Sequence, residues 1–360
     1  MRINVLIIGL GLIGGSLGLA LRESPQVDKI IGYDTDPESL IMAQDMGAID
    51  LIADLDEGVR RAQVIILCTP LSTFPALLLS IKPCLNPGTI VTDVGSTKLQ
   101  VMDTFSALLP DKVWGIGGHP MAGSEIKGIR GADRYLFENA VYVITPPEYI
   151  PAGILEKLCS LLTATGARVK IMEARLHDQL VATISHVPHI AAVSLVNITR
   201  GDEDSLLLAA GGFRDTTRIA SSGTGIWEDI LISNKEQIGI KLDELIAALG
   251  SFKQALANED KNAIKDMLLT ARNIRDKIPG ISKGLLPGFS DIICIVPDRP
   301  GMIGQIGAVL GKYGINIVDI EILRAREGDG GTMRLGVPLE KDAQRAVEVL
   351  LSMGIKAWMN

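Results

Sequence analysis

The sequence predicts an α/β protein: a doubly wound sheet at the N-terminus, then an all-α region, then a small ferredoxin-like βαββαβ domain. Three observations carry this. Short β-branched runs alternate with helical patterns over residues 1–172, strand signals vanish over 173–282, and a proline- and glycine-rich break precedes a second, shorter alternation.

The expected strands of the first region are Asn4–Ile8, Lys29–Tyr33, Gln63–Leu67, Thr89–Thr92, Val113–Ile116, Ala140–Ile144 and, last, Ala167–Met172. Crossover helices between such strands make a parallel sheet. Long helical stretches follow Glu173, at Arg175–Thr199 and Gly225–Leu256, interrupted by a glycine-bearing motif at 211–220. Proline and glycine break helix and strand alike, so Ile278–Gly288 reads as a linker, and 283–289 separates the helical region from a domain at 290–360. Within that domain the order is strand Ile292–Val296, helix Arg299–Tyr313, strands Ile317–Arg324 and Met333–Pro338, helix Lys341–Met353 and strand Ile355–Trp358.

Composition narrows the function. A chain of 360 residues, 47% hydrophobic and with only 4% aromatics, can bury two or three aliphatic cores. Its net charge of −7, with no basic cluster, argues against nucleic acid and leaves small-molecule chemistry as the expectation. Cys68, Cys84, Cys159 and Cys294 stand far apart without a C-x-x-C pair and read as reduced thiols of a cytoplasmic protein. The chain enters a strand at once, without the plan of a signal peptide, and no uninterrupted apolar run approaches the ~18 residues of a membrane span.

Gly9-x-Gly11-x-x-Gly14 follows the first strand and opens a helix, and Asp34 ends the second strand twenty residues further on. In that context the glycines are a Rossmann-type dinucleotide fingerprint. Gly9 permits the tight turn, Gly11 the approach of the pyrophosphate and Gly14 close helix packing, while Leu12 and Ile13 present amides at the positive helix end. Asp34 accepts ribose hydroxyls and repels a 2′-phosphate, which favours NAD over NADP; the bland alternative is an N-cap for the helix at Pro37. Thr69 and Pro70 end one strand and Asp93–Lys98 the next, so both segments should border the nicotinamide. Ser96 fits there, or as N-cap of a helix starting near Thr97.

Of four histidines, His119 in Gly118-His119-Pro120 follows a strand near the cofactor and is the best candidate general base. Glu125 in the same loop either orients His119 or caps a helix. His186 and His189 are three apart, yet no third ligand of convincing spacing accompanies them, so no metal is expected; His189 is a candidate donor to a substrate carboxylate, or else a buried structural histidine. Asp178 is either an anchor for an arginine or a solvated helix-face carboxylate. In Gly211-Gly-Phe-Arg-Asp-Thr-Thr-Arg-Ile-Ala220, Arg218 offers a planar fork matched to a carboxylate. Arg214 and Asp215 are candidates to pair with each other, and Trp227 to wall the pocket or fill core.

Together with Gly117-Gly-His-Pro-Met-Ala-Gly-Ser-Glu125, these motifs resemble the prephenate dehydrogenases of tyrosine biosynthesis over nearly the whole chain, and the C-terminal segment resembles an ACT regulatory domain. The resemblance implies that His119 and Ser96 contact the substrate hydroxyl and that Arg218 holds the ring carboxylate. It implies that His189 and Gly211 line the side-chain end, with Trp227, Glu125, Asp178 and Asp215 at surrounding or gating positions. It further implies a helical domain that dimerises, giving a homodimer, and NAD-dependent oxidative decarboxylation of prephenate to 4-hydroxyphenylpyruvate. An aromatic amino acid, tyrosine first, is the implied effector, bound near Asp298, Gly301 and Asn316. Arogenate is the neighbouring substrate. A β-hydroxyacid dehydrogenase is a second reading, disfavoured because such enzymes use a lysine in the helical domain; a silent NAD- and amino-acid-binding sensor is the reading from another class.

Overall fold

A computed structural model describes residues 2–123, 126–278, 290–297, 299–324 and 331–359. The chain divides into two compact units, 1–284 and 285–360. The linker expected over 283–289 lies outside the described residues, as do Glu125 and Asp298.

The first unit opens with β1 (Ile3–Ile8), α1 (Leu12–Leu21), β2 (Val27–Tyr33), α2 (Pro37–Asp45), β3 (Leu51–Ile52), α3 (Leu55–Arg61) and β4 (Val64–Leu67). It continues through α4 (Phe74–Ile81), β5 (Ile90–Asp93), α5 (Leu99–Leu108), β6 (Trp114–Pro120), β7 (Val141–Thr145), α6 (Ala152–Thr163) and β8 (Arg168–Ile171). The strands form one sheet in the order β3-β2-β1-β4-β5-β6-β7-β8. Alternate residues of β1 feed two cores: Val5 and Ile7 join Leu17, Leu21 and Leu158 on one face, while Leu6 and Ile8 join Phe74, Leu78 and Phe105 on the other. The expected all-parallel sheet is corrected at one place, since β7 runs antiparallel to β6. Where a parallel return would need a helical crossover, the described chain between them holds only the short turn Ile129–Gly131, and the direction reverses.

The rest of the first unit is helical: α7 (Ala174–Val181), a π-helical turn at Ala182–His186, α8 (Val187–Ile198), α9 (Glu203–Leu207), α10 (Gly211–Thr217), α11 (Thr224–Ser233), α12 (Lys235–Ala257) and α13 (Lys261–Arg275). Pro188 has no N–H to continue the ordinary ladder, and the turn before it widens so that Val187 N–H donates to the Ala182 carbonyl. The single helix expected over Gly225–Leu256 is split at Asn234. Ala174–Ile198 is long and apolar enough to cross a membrane by length and composition alone. It nevertheless buries His177, Asp178 and His186, each hydrogen-bonded within the protein.

These helices bury only a few apolar side chains among themselves, such as Ala182, Val187 and Ile238, and leave large ones in solvent: Ile184, Ile198, Leu207, Ile232 and Ile246 are each more than 60% exposed. An apolar surface of this extent marks an interaction face.

The second unit contains β9 (Ser290–Val296), α14 (Met302–Lys312), β10 (Asp319–Arg324), β11 (Gly331–Val337), α15 (Glu340–Ser352) and β12 (Lys356–Met359). Its antiparallel sheet has the order β10-β11-β9-β12, and its own core joins Ile292, Cys294 and Leu335 to Ile306, Leu310 and Leu350 of the two helices.

Candidate active site

The glycine loop between β1 and α1 fits a dinucleotide. Gly9 has φ +98°, and a Cβ there would lie 2.7 Å from the Cys68 carbonyl oxygen; at Gly14 it would lie 2.0 Å from the Gly9 oxygen. Gly11, by contrast, faces open space, and no side chain caps the helix end at Leu12 and Ile13. That leaves a cradle of backbone amides with room for a phosphate group. Asp34 is not the N-cap of α2: Asp36 fills that position, accepting from Glu38 and Ser39. The Asp34 carboxylate instead accepts from Leu10 N at 2.6 Å and Asp36 N at 2.9 Å, which ties the end of β2 to the glycine loop. Thr69 and Pro70 follow β4, with the Pro70 carbonyl accepting from Thr73 Oγ1 at 2.7 Å. On the same segment Ser72 Oγ donates to Asp229 of α11 at 2.8 Å, so the edge of the nucleotide cleft is tied to the helical half.

Ser96 lies between β5 and α5 and is not the cap of α5, which starts at Leu99 rather than near Thr97. The capping carboxylate comes from Asp178, whose oxygens accept from Lys98 N at 2.7 Å and Leu99 N at 2.9 Å. Asp178 is therefore neither solvated nor an arginine anchor; it is 1% exposed and also accepts from His177 Nδ1 at 2.7 Å. Next to it the buried Lys98 ammonium pairs with Asp93 and donates to the Gly118 carbonyl at 2.6 Å. Asp93 in turn accepts from Gly118 N at 2.9 Å and Gly95 N at 2.7 Å. Burial pushes the Asp93 carboxyl up and the Lys98 ammonium down, and their mutual attraction opposes both movements. Both backbone groups of Gly118 are thus fixed immediately before His119.

His119 lies in β6, paired with Val143, and not in a loop. Its Nδ1 is 2.8 Å from His177 Nε2, with the rings edge to face at 77°. Burial first, then the neighbouring His177, Lys98 and His186, holds its pKa well below the ordinary imidazole value of 6.5. His119 is accordingly neutral near pH 7 and able to accept a proton.

Around it, His186 Nδ1 accepts from Asn234 Nδ2 at 3.2 Å, and that amide also donates to the Asp178 carbonyl at 2.8 Å. Burial brings His186 down to about 4. His189 stacks on Trp227 with centroids 3.5 Å apart and rings 6° from parallel, and its buried Nδ1 has no partner among the described residues. Trp227 therefore walls the histidine group. Among the described residues no three His, Cys, Asp or Glu side chains form a metal cluster.

Gly211, Arg214, Asp215 and Arg218 lie on α10 and the turn after it, which pack against α8 but leave all four exposed on this chain. Arg214 and Asp215 form no ion pair with each other; adjacent helical residues point away from one another. Sequence reasoning missed His177, Lys98 and Asn234. The signal for His177 was its place beside Asp178 on a helix of otherwise alternating polar and apolar character.

A glycine-lined nucleotide cleft joined to a half-buried imidazole held by a second histidine defines an NAD-dependent oxidoreductase with a helical half. Comparison with known proteins narrows this. The family described as prephenate dehydrogenase, nucleotide-binding domain, matches residues 17–171, its dimerization domain matches 173–270, and the ACT domain family matches 290–351. The chain is 38% identical to prephenate dehydrogenase of Bacillus subtilis over 97% of this chain and 96% of that protein. Among solved structures, prephenate dehydrogenase from Aquifex aeolicus in complex with hydroxyphenyl propionate and NAD+ is 31% identical, with a TM-score of 0.72 over 78% of this chain and 99% of its own. Synechocystis arogenate dehydrogenase is also 31% identical, with a TM-score of 0.69 over 77% and 100%. The chain belongs to the prephenate dehydrogenase family.

Proposed function

We propose that the protein catalyses the oxidative decarboxylation of prephenate to 4-hydroxyphenylpyruvate. The observation that carries the reading is the neutral His119, held by its neighbours at the end of β6, in a chain of this family. Gly11, Leu12, Ile13 and Asp34 hold NAD, which when bound accepts the hydride from the ring carbon. His119 draws the proton from the hydroxyl on that carbon, and Ser96 steadies the same oxygen. As the ring carboxylate departs as carbon dioxide, its bonding pair makes the ring aromatic and charge collects on the oxygen, which recovers the proton from His119. Arg218 orients the carboxylate, and His189, with a nitrogen unpartnered among the described residues beside Trp227, receives the side-chain end together with Gly211. Aromatisation drives the step, so orientation is the main task of the protein.

The exposed apolar helices are covered by a second copy, giving a homodimer. The C-terminal unit acts as a regulatory domain for an aromatic amino acid, tyrosine first, received near Gly301, which has φ +88° at the start of α14, and the exposed Asn316. The likeness to an arogenate dehydrogenase supports a second substrate in which an amine replaces the keto group.

The test is NADH absorbance on mixing the protein with NAD and either prephenate or arogenate. Turnover of prephenate is expected; turnover of neither acid rejects the reading. A chain ending near Leu285 is expected to stay active and lose tyrosine inhibition, and equal inhibition of both forms would move the effector to the catalytic pocket.

A further inference from the structure

We infer that His177 is a positioning residue that fixes the tautomer of His119, so that the free lone pair of the base sits on Nε2. This deepens the reading of His119 as the proton acceptor and rests on it.

The argument follows the hydrogens along a chain of three side chains. Asp178 receives two backbone N–H groups, from Lys98 and Leu99, so both of its oxygens act as acceptors. A carboxylate of that kind offers no proton, and His177 Nδ1, 2.7 Å away, must be the donor. A neutral His177 has one ring proton, and it is then committed to Asp178. Its Nε2 therefore carries a lone pair, directed at His119 Nδ1 over 2.8 Å. His119 Nδ1 has to donate into that contact, and the remaining nitrogen, Nε2, is left bare. No protein group among the described residues hydrogen-bonds it.

The arrangement uses one donor and one acceptor nitrogen on His177, which is what a neutral imidazole offers. His177 is 1% exposed, and the buried Lys98 ammonium already stands in the same group of side chains. The groups facing the two rings are Lys98 and Asp93 of the β5–α5 segment, Asp178 on α7 and His186 in the π turn. Of these only Asp178 hydrogen-bonds His177. When His119 takes a proton, its Nδ1–H continues to donate to His177, and the Asp178 charge two rings away stabilises the cation. A base oriented through a second group backed by a carboxylate follows the general logic of triads, here with an imidazole inserted between base and carboxylate.

The experiment is nitrogen-15 NMR of the full chain labelled at histidine, without substrate, together with steady-state kinetics. Four histidines make assignment by single substitution practicable. In the wild-type protein His119 is expected to be protonated on Nδ1 and bare on Nε2 near pH 7. In His177→Leu the proton is expected to leave Nδ1 for Nε2, with kcat lowered roughly 10²–10⁴-fold and little change in KM for prephenate or in NAD affinity. His177→Gln keeps an acceptor oxygen within reach of His119 Nδ1 and should recover much of kcat and the wild-type tautomer.

A wild-type spectrum with His119 bare on Nδ1, or with His177 doubly protonated, overturns the inference. So does a His177→Leu spectrum in which the His119 tautomer is unchanged, or a glutamine variant as slow as the leucine one. If His177→Leu does not fold, the wild-type and glutamine spectra still decide. A protein that fails to oxidise prephenate would sink the proposed reaction but leave the tautomer measurement intact, so the two failures are distinguishable.

Discussion

The sheet half and the helical half of the first unit contribute to the site in opposite ways. On the sheet side, the charged and backbone groups flanking His119 are tied to partners: Lys98 to Asp93, Gly118 through both backbone atoms, and His119 through Nδ1 to His177. On the helical side, Gly211, Arg214, Asp215 and Arg218 are exposed, and the helices around them leave large apolar side chains in solvent. A single chain thus completes its base and its nucleotide cradle. The segment proposed to bind the carboxylate lies on a surface that a second copy is expected to cover. Preorganisation has been invested where a proton must move, since there a misplaced group costs rate.

The largest expected effect tests the tied side. His119→Asn should preserve the fold and NAD binding and lower turnover by roughly 10²–10⁴-fold. Near-normal turnover would show that the tied cluster is architecture only. On the exposed side, Arg218→Ala should raise KM for prephenate by about 10–150-fold, the equivalent of roughly 1.5–3 kcal/mol for a charge-assisted pair, with NAD affinity unchanged. Lysine should rescue it poorly, because an ammonium lacks the planar fork. Equal damage to both affinities would assign Arg218 to the structure of the helices instead.

The nucleotide cradle allows a finer cut within the sheet half. Gly11 faces open space whereas a Cβ on Gly14 meets backbone at 2.0 Å. Gly11→Ala should therefore leave the Tm of the free protein unchanged and weaken NAD about tenfold or more, because the added methyl occupies the approach of the pyrophosphate. Gly14→Ala should lower the Tm even without NAD. Identical behaviour of the two variants in thermal unfolding with and without NAD would remove the distinction between a ligand-facing and a packing glycine. Asp34→Ser should narrow the preference for NAD over NADP.

The same contrast explains what could be read in the sequence. Strand runs, the glycine fingerprint and the βαββαβ order of the second unit are local patterns, and they were legible because period and spacing survive without tertiary information. The partners of the base were not. His119 meets His177 across 58 residues and Asp178 caps α5 across 80, so neither contact has a local signature. Local rules proposed Ser96 and Asp34 as caps; tertiary structure gave the first role to Asp178, 80 residues away, while the second fell to Asp36, a local cap two residues further along the chain. The antiparallel β7 was hidden for a related reason: a glycine- and proline-marked stretch does not announce which way the chain returns.

The smallest expected effect is the response to pH, and it separates the proposed catalytic histidine from its structural neighbours. Burial and nearby cationic or imidazole groups lower His119, so the rising limb of kcat/KM, which reports the free enzyme, should lie below pH 6.5, with a plateau through neutrality. Stability should respond over a similar window with the same sign. His186 sits at about 4 in the folded protein against 6.5 for an ordinary imidazole, so between those values the unfolded chain binds more protons and stability rises with pH. As pH falls from 6.5 toward about 4, that contribution is lost. Above 6.5 it is complete and the dependence vanishes. Thermal unfolding between about pH 5 and 6.5, where most carboxylates remain ionised, should show a falling Tm in the wild type and a shallower fall in His186→Gln, whose side chain cannot be protonated. A Tm that stays level across this interval would mean that His186 is hydrated in solution. An activity limb at or above 6.5 would mean the same for His119, and the sheet side of the site would then be as open as the helical one.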